Sequence, residues 1–115
     1  MKQRVVVVGY CASGKSTVVA ALRERGIDAL AVAQEHSVIH DLWNHPNPDV
    51  VVFLDVDIEE IRKRRDNPGW PEWIYDLQHD RLAEARERAD LVVDTSHLSV
   101  DEIIPQILEL ISQDG

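Results

Sequence analysis

One cysteine in 115 residues, Cys11, leaves no partner for an internal disulfide and no ligand set for a cysteine-based metal site. That usage fits a reducing compartment, and a cytoplasmic location is the expectation. Basic residues are scarce as well: 12 lysines and arginines stand against 21 aspartates and glutamates, a formal net charge of -9. Such a field repels nucleic acid and anionic membrane from most of the surface, so neither is an expected partner, and any anionic ligand must be drawn by a local site. No apolar run approaches the roughly 18 to 20 residues of a membrane span. The short valine run at residues 5–8 leads straight into a glycine-bearing loop, so it reads as a buried first strand and not as the apolar centre of a signal peptide.

What is present is the composition of a globular chain, 44% apolar and 29% charged, with length for one core only. The expectation is a single domain over residues 1–115. Uninterrupted β-branched runs mark strands covered on both faces of a parallel sheet, and residues 5–8 fit that description, while residues 27–33, 50–54 and 91–93 read as the second, third and fourth strands. Between them, residues 16–25 carry Val18, Val19, Ala21 and Leu22 at helical spacing, with Gly26 as a left-handed stop. A short helix is predicted over 36–43, ended by the asparagines and prolines of 44–48. Another begins at Asp57 or its neighbours and runs to Arg65, where Asn67-Pro68-Gly69 supplies turn chemistry. The spacing then predicts a helix over 73–88 with Trp73, Leu77, Leu82, Ala85 and Ala89 on its buried face. Ser99 and Glu102 form a capping box for a last helix, in which Pro105 predicts a kink or a separate first turn. Strands alternating with helices of this length give a three-layer α/β/α fold with a mainly parallel sheet of four strands and ligands at the strands' carboxyl ends.

Gly9-Tyr10-Cys11-Ala12-Ser13-Gly14-Lys15-Ser16 has both glycines, the lysine and the hydroxyl of the phosphate-loop pattern, between a predicted strand and a predicted helix. The pattern has a physical cause. Successive backbone N–H groups converge on phosphate oxygens only in conformations that glycine tolerates, and the helix that follows adds its positive dipole end. Lys15 would reach the β- and γ-phosphates and the Ser16 hydroxyl would bind Mg2+. Gly9, Ala12, Ser13, Gly14, Lys15, Ser16 and Thr17 are the expected nucleotide-binding set. Cys11 reads as a small filler and not as a nucleophile.

With that loop in place, the segments that follow resemble those of the nucleoside and nucleotide kinase group of P-loop proteins in short form, including the deoxynucleoside, thymidylate and shikimate-type kinases. Gln34-Glu35-His36-Ser37 is similar to their acidic-Arg-Ser or acidic-Arg-Tyr segment, with His36 where they have arginine. Pro48-Asp49-Val50 through Asp55-Val56-Asp57 resembles their inner strand, residues 58–65 the helix leading to an arginine-bearing lid, and Ala89-Asp90-Leu91-Val92-Val93-Asp94-Thr95 their last strand and base-side loop. The connection from the first helix to Glu35 is short where these kinases place an additional strand. The resemblance then implies four parallel strands in the order 2-1-3-4, a lid-like segment at about 62–78, and ATP with Mg2+ as cofactors.

Seven of the 12 basic residues lie between Arg62 and Arg88. Arginines in a closing lid stabilise the charge of a transferring phosphoryl group, and Arg62, Arg65 and Arg81 are the candidates for that role, with Lys15 and Glu35, in the catalytic set. The alternative is a solvated helix face on which Arg81, Arg86 and Arg88 pair with Glu84, Glu87 or Asp80 at helical spacing. Trp70, Trp73 and Tyr75 could stack on a base, although Trp73 reads better as a core anchor. Glu35 suits a general base or an outer metal ligand. Asp55 competes with it, because four apolar residues and then Asp is the form of a Walker B strand, so Ser16 and Asp55 are the metal candidates. His36 and His40, four apart, lack a third ligand at a useful spacing. Three functions fit: a small kinase transferring phosphate from ATP to a small-molecule or nucleotide acceptor, an NTPase without an acceptor, or a nucleotide-dependent regulatory module. No feature of the sequence bears on assembly, and a homodimer stays open.

Overall fold

The structure is a computed structural model that describes residues 3–114, and side chains through residue 112. Four strands, β1 (Arg4–Gly9), β2 (Asp28–Ala31), β3 (Val50–Asp55) and β4 (Leu91–Asp94), form one parallel sheet in the order β2-β1-β3-β4. Helices α1 (Lys15–Glu24), α2 (Ile58–Arg64), α3 (Glu72–Arg88) and α4 (Val100–Asp114) connect and cover it. The order is the expected 2-1-3-4. β1 and β3 lie at its centre and are apolar on both faces because helices cover both. On one side Val5, Val7, Val50, Val52 and Leu54 meet Val18 and Leu22 of α1 and Ile103, Ile104 and Ile107 of α4. On the other Val6, Val8, Val51 and Phe53 meet Tyr10, Trp43, Ile61, Trp70, Leu82 and Ala85. No helix among the described residues is long and apolar enough to cross a membrane.

Four local expectations are corrected. The second strand stops at Ala31 and not at residue 33: the Val32 N–H still bonds the Val7 carbonyl, after which its pairing with β1 ends, although β1 runs on to Gly9 against β3. Residues 36–43 form no helix. Two 3₁₀ turns, Gln34–His36 and Leu42–Asn44, flank an irregular stretch in which side chains take the backbone groups a helix would use. The Gln34 amide donates to the Ile39 carbonyl and accepts from the Trp43 N–H, and the Ser37 hydroxyl accepts from the Ile39 N–H. Trp73, expected in the core, is 66% exposed, and Leu77 is exposed beside it, because the Tyr75 and Gln78 contacts described below turn α3 so that Gln78, Leu82 and Ala85 face the sheet. Finally, α4 is continuous through Pro105, with no separate first turn. Pro105 and Asp101, whose carbonyl loses its helical donor, lie on the solvent side, where water can serve that group.

Candidate functional site

The loop between β1 and α1 is shaped by two glycines. A Cβ on Gly9 would collide with the Leu54 carbonyl oxygen and lie 2.8 Å from Ser13 Oγ, so only glycine lets the loop leave the sheet this closely. Gly14 has φ 97°, a left-handed residue at the N-cap of α1. The first bond of α1 runs from the Val18 N–H to the Gly14 carbonyl, which leaves the N–H groups of Gly14, Lys15, Ser16 and Thr17 without a helical acceptor. Ser16 and Thr17 are exposed at this end. Ser13 Oγ is buried and has no partner. The result is a set of convergent donors at a positive helix end, the chemistry of an anion cradle.

Lys15 lies across this cradle. Its Nζ donates to the carbonyls of Gly9 and Tyr10, each at 3.1 Å, and to Glu35 Oε2 at 2.5 Å. Glu35 sits in the 3₁₀ turn after β2, and its side chain is 4% exposed. Its second oxygen, Oε1, is buried with no partner. Burying a carboxylate is costly unless it is paired, and here one oxygen is paired with the loop lysine while the other keeps its acceptor capacity. His36 Nε2 stands 3.8 Å from Glu35 Oε2 on the solvent side.

The expected arginines divide. Arg81, on α3, points its Nη1 at the Glu35 carbonyl at 3.5 Å and so joins the site. Arg62 donates through Nε to the Trp70 carbonyl and pairs with Glu59, while Arg65 lies over the Trp70 ring at 5.9 Å. Those contacts make both of them anchors of the turn after α2. The arginine that reaches the loop is Arg64: its Nη1 donates to the Ala12 carbonyl at 2.9 Å and its Nη2 to the Thr95 carbonyl at 2.6 Å. Sequence reasoning passed over it because the rotation of α2 about its axis, and therefore which of three nearby arginines faces the loop, depends on tertiary packing. Ile61, wholly buried, fixes that rotation. Arg64, Ala12, Ser13, Gly14, Thr17 and Thr95 line a cavity of about 230 Å³ beside the loop.

Asp55 does not meet Lys15 or Ser16 in the bonds it makes. Its Oδ2 accepts from Arg86 Nη2 at 3.0 Å and its Oδ1 from the Val56 N–H. The bond to Asp55 holds the Arg86 guanidinium above its usual range. Asp57 caps α2, accepting from the Glu60 N–H at 2.8 Å. Beneath the loop, Tyr10 stacks on Tyr75 with ring centres 4.6 Å apart, and its hydroxyl bonds His79 Nδ1 at 2.8 Å. Burial, then the neighbouring Tyr75 and Asp55, pushes the Tyr10 phenol well up, so it is a neutral structural group. Among the described residues no group of three His, Cys, Asp or Glu side chains is assembled for a metal. The free N–H groups, the unpartnered Ser13 Oγ and Glu35 Oε1, the exposed Ser16 hydroxyl and Lys15 do fit a nucleotide phosphate chain and the divalent ion it carries.

No protein-family model matches the chain. A cytidylate kinase from Geobacillus kaustophilus is 32% identical over 91 residues, covering 64% of this chain and 41% of that protein, so the chain spans less than half the length of this curated relative. Among solved structures, thymidylate kinase from Candida albicans superimposes with a TM-score of 0.64 at 13% identity, over 98% of this chain and 92% of that one. Shikimate kinase from Aquifex aeolicus gives 0.63 at 15% identity, over 96% and 97%. Shikimate kinase from Acinetobacter baumannii, in complex with shikimate, gives 0.62 at 15% identity, over 99% and 95%. The chain has the P-loop fold of small nucleotide and shikimate kinases, here with four parallel strands.

Proposed function

We propose that this protein is a small phosphotransferase that binds ATP-Mg at residues 9–17 and transfers the γ-phosphoryl group to a small acceptor beside Glu35. The observation that carries the reading is the buried Lys15–Glu35 pair at 2.5 Å, which puts a carboxylate with one unused oxygen next to the lysine of the phosphate loop. Lys15 and the N–H groups of residues 14–17 bind the phosphates, and Ser16 holds the metal, whose chemistry is to neutralise and align the β- and γ-phosphate oxygens. Glu35 then faces the acceptor. For a hydroxyl acceptor, the oxygen bonds to the γ-phosphorus, the bond to the bridging oxygen breaks, ADP leaves, and the hydroxyl proton passes to Glu35. Because the curated relative is a cytidylate kinase, nucleoside monophosphates are the first acceptors to test. Their phosphate oxygen attacks without losing a proton, and Glu35 would then act through water on the metal.

Lys15→Ala should abolish ATP-Mg binding measured by calorimetry, while the thermal transition persists at a lower temperature because the buried Glu35 carboxylate loses its partner. Glu35→Gln should keep ATP affinity and lower transfer to a hydroxyl acceptor on the order of a hundredfold. Equal affinity in Lys15→Ala and the parent overturns the site. Full transfer in Glu35→Gln would end its catalytic role, and ATP hydrolysis that no acceptor diverts, kept in Glu35→Gln and lost in Asp55→Asn, would make the protein a hydrolase of the Walker B type.

A further inference from the structure

Two glutamines among the described residues are almost wholly buried, and both lead to α3. Gln34, fully buried, immediately precedes Glu35. Its Nε2 donates to the Ile39 carbonyl at 2.7 Å and to the Arg81 carbonyl at 3.3 Å, and its Oε1 accepts from the Trp43 N–H at 2.9 Å. One side chain thereby joins the Glu35 turn, the irregular stretch after it and the middle of α3. Gln78, 2% exposed, lies on α3 less than one turn before Arg81 and accepts the Cys11 N–H at 3.1 Å. Cys11 is in the phosphate loop. Tyr75 and His79 hold Tyr10 from the same helix, and Arg81 reaches the Glu35 carbonyl.

Burying a primary amide needs a reason, because an apolar residue of the same size would pack there without desolvating any polar group. Neither glutamine belongs to a regular hydrogen-bond ladder. Each instead supplies a bond between elements that strand and helix cannot: Gln78 accepts a loop N–H, and Gln34 accepts the Trp43 N–H and donates to the carbonyls of Ile39, in the irregular stretch, and of Arg81, on α3. We propose that Gln34 and Gln78 are positioning residues that hang the Glu35 turn and the phosphate loop on α3, so that this helix sets the separation of the carboxylate from the phosphates. The inference rests on the phosphotransferase reading for its consequence, and on the bonds alone for its geometry. Phosphoryl transfer is governed by placement, and a shift of about 1 Å originating away from the reacting atoms can cost on the order of a hundredfold in rate.

The test uses Gln34→Met and Gln78→Met, which keep length and remove the amide, each made in the parent and in Glu35→Gln. Hydrogen exchange should show the Trp43 amide losing protection in Gln34→Met and the Cys11 amide in Gln78→Met. Turnover, as transfer to an acceptor or as ATP hydrolysis, should fall about tenfold to a hundredfold in kcat for Gln34→Met with ATP-Mg affinity unchanged. Gln78→Met should weaken ATP-Mg affinity. In the Glu35→Gln background, Gln34→Met should add nothing to the loss in kcat, while Gln78→Met keeps its full effect on affinity. A Gln34→Met effect that simply adds to that of Glu35→Gln overturns the proposal, because a merely structural residue acts that way. If Gln34→Met does not fold, Gln34→Leu, which also removes the amide and adds no buried charge, takes its place with the same expectations. Failure of the underlying reading looks different: Lys15→Ala would then bind ATP-Mg like the parent. Loss of binding in Lys15→Ala together with parental turnover in Gln34→Met and Gln34→Leu sinks this inference alone.

Discussion

A single methyl group is a sharp probe of the phosphate loop. At Gly9 it would press against the Leu54 carbonyl, which belongs to the central strand β3 and cannot yield without breaking the sheet. Gly9→Ala should therefore cost about 1–3 kcal/mol, the usual scale of overpacking, and should also weaken ATP-Mg binding because Ser13 is displaced. Urea unfolding and calorimetry on the same sample measure both, and an unaltered midpoint would contradict the close approach. A second residue-scale expectation concerns pH. Asp94 Oδ2 and His97 Nδ1 lie 2.6 Å apart on the surface. The bond to His97 lowers the Asp94 carboxyl below its ordinary 3.8, and the bond to Asp94 raises the His97 imidazole above its ordinary 6.5. A raised histidine contributes fully below 6.5 and loses its contribution as pH climbs through the folded value; a lowered aspartate contributes fully above 3.8 and loses it as pH falls through its own. The pair is thus complete between those two ordinary values. Proton NMR should place the His97 midpoint above 6.5, and Asp94→Asn should bring it down. A midpoint indifferent to that change would show the contact to be absent in solution.

Helix ends and helix faces were not equally legible. Half of the capping box read from spacing is present: Glu102 Oε1 accepts from the Ser99 N–H and hydroxyl, each at 3.1 Å, while the Glu102 N–H bonds the Ser99 carbonyl and not its hydroxyl. At the start of α2 the cap is Asp57, and Asp57→Ala should destabilise the fold by about 1 kcal/mol in urea unfolding, because the Glu60 N–H loses its acceptor. No change on that substitution would mean water replaces the cap at no cost. The central strands β1 and β3 were legible because burial on both faces forces an unbroken apolar run, and the P-loop because its glycines, lysine and hydroxyl must stand at fixed positions. Faces were harder. Trp73 and Leu77 share the apolar character of a buried stripe, yet α3 is oriented by Tyr75, Gln78 and His79, whose partners in the loop are distant in sequence. Periodicity cannot see such long-range bonds. The same blindness hid Arg64 and both buried glutamines, since nothing local separates a structural amide from a solvated one.

At the scale of the whole molecule two electrostatic effects act in opposite senses and can be told apart. A net charge of -9 on 115 residues makes the compact state repel itself, while the loop offers a local cradle for anions. Added salt shortens the screening length from about 10 Å at 0.1 M to about 3 Å at 1 M, so sodium chloride should raise the unfolding temperature by relieving the global repulsion. That gain comes from the summed charge and should be nearly the same in the parent and in Lys15→Ala. Sulfate at equal ionic strength adds two effects: general exclusion from the protein surface, shared by both proteins, and occupation of the cradle, which needs Lys15 and the free N–H groups of residues 14–17. The excess stabilisation by sulfate over chloride should therefore be larger in the parent than in Lys15→Ala, and ATP-Mg should compete it away. Scanning calorimetry of the two proteins in the two salts supplies the comparison. An equal sulfate excess in both would mean that the loop does not hold tetrahedral anions, and the phosphate cradle would lose its physical support even though its sequence pattern is intact.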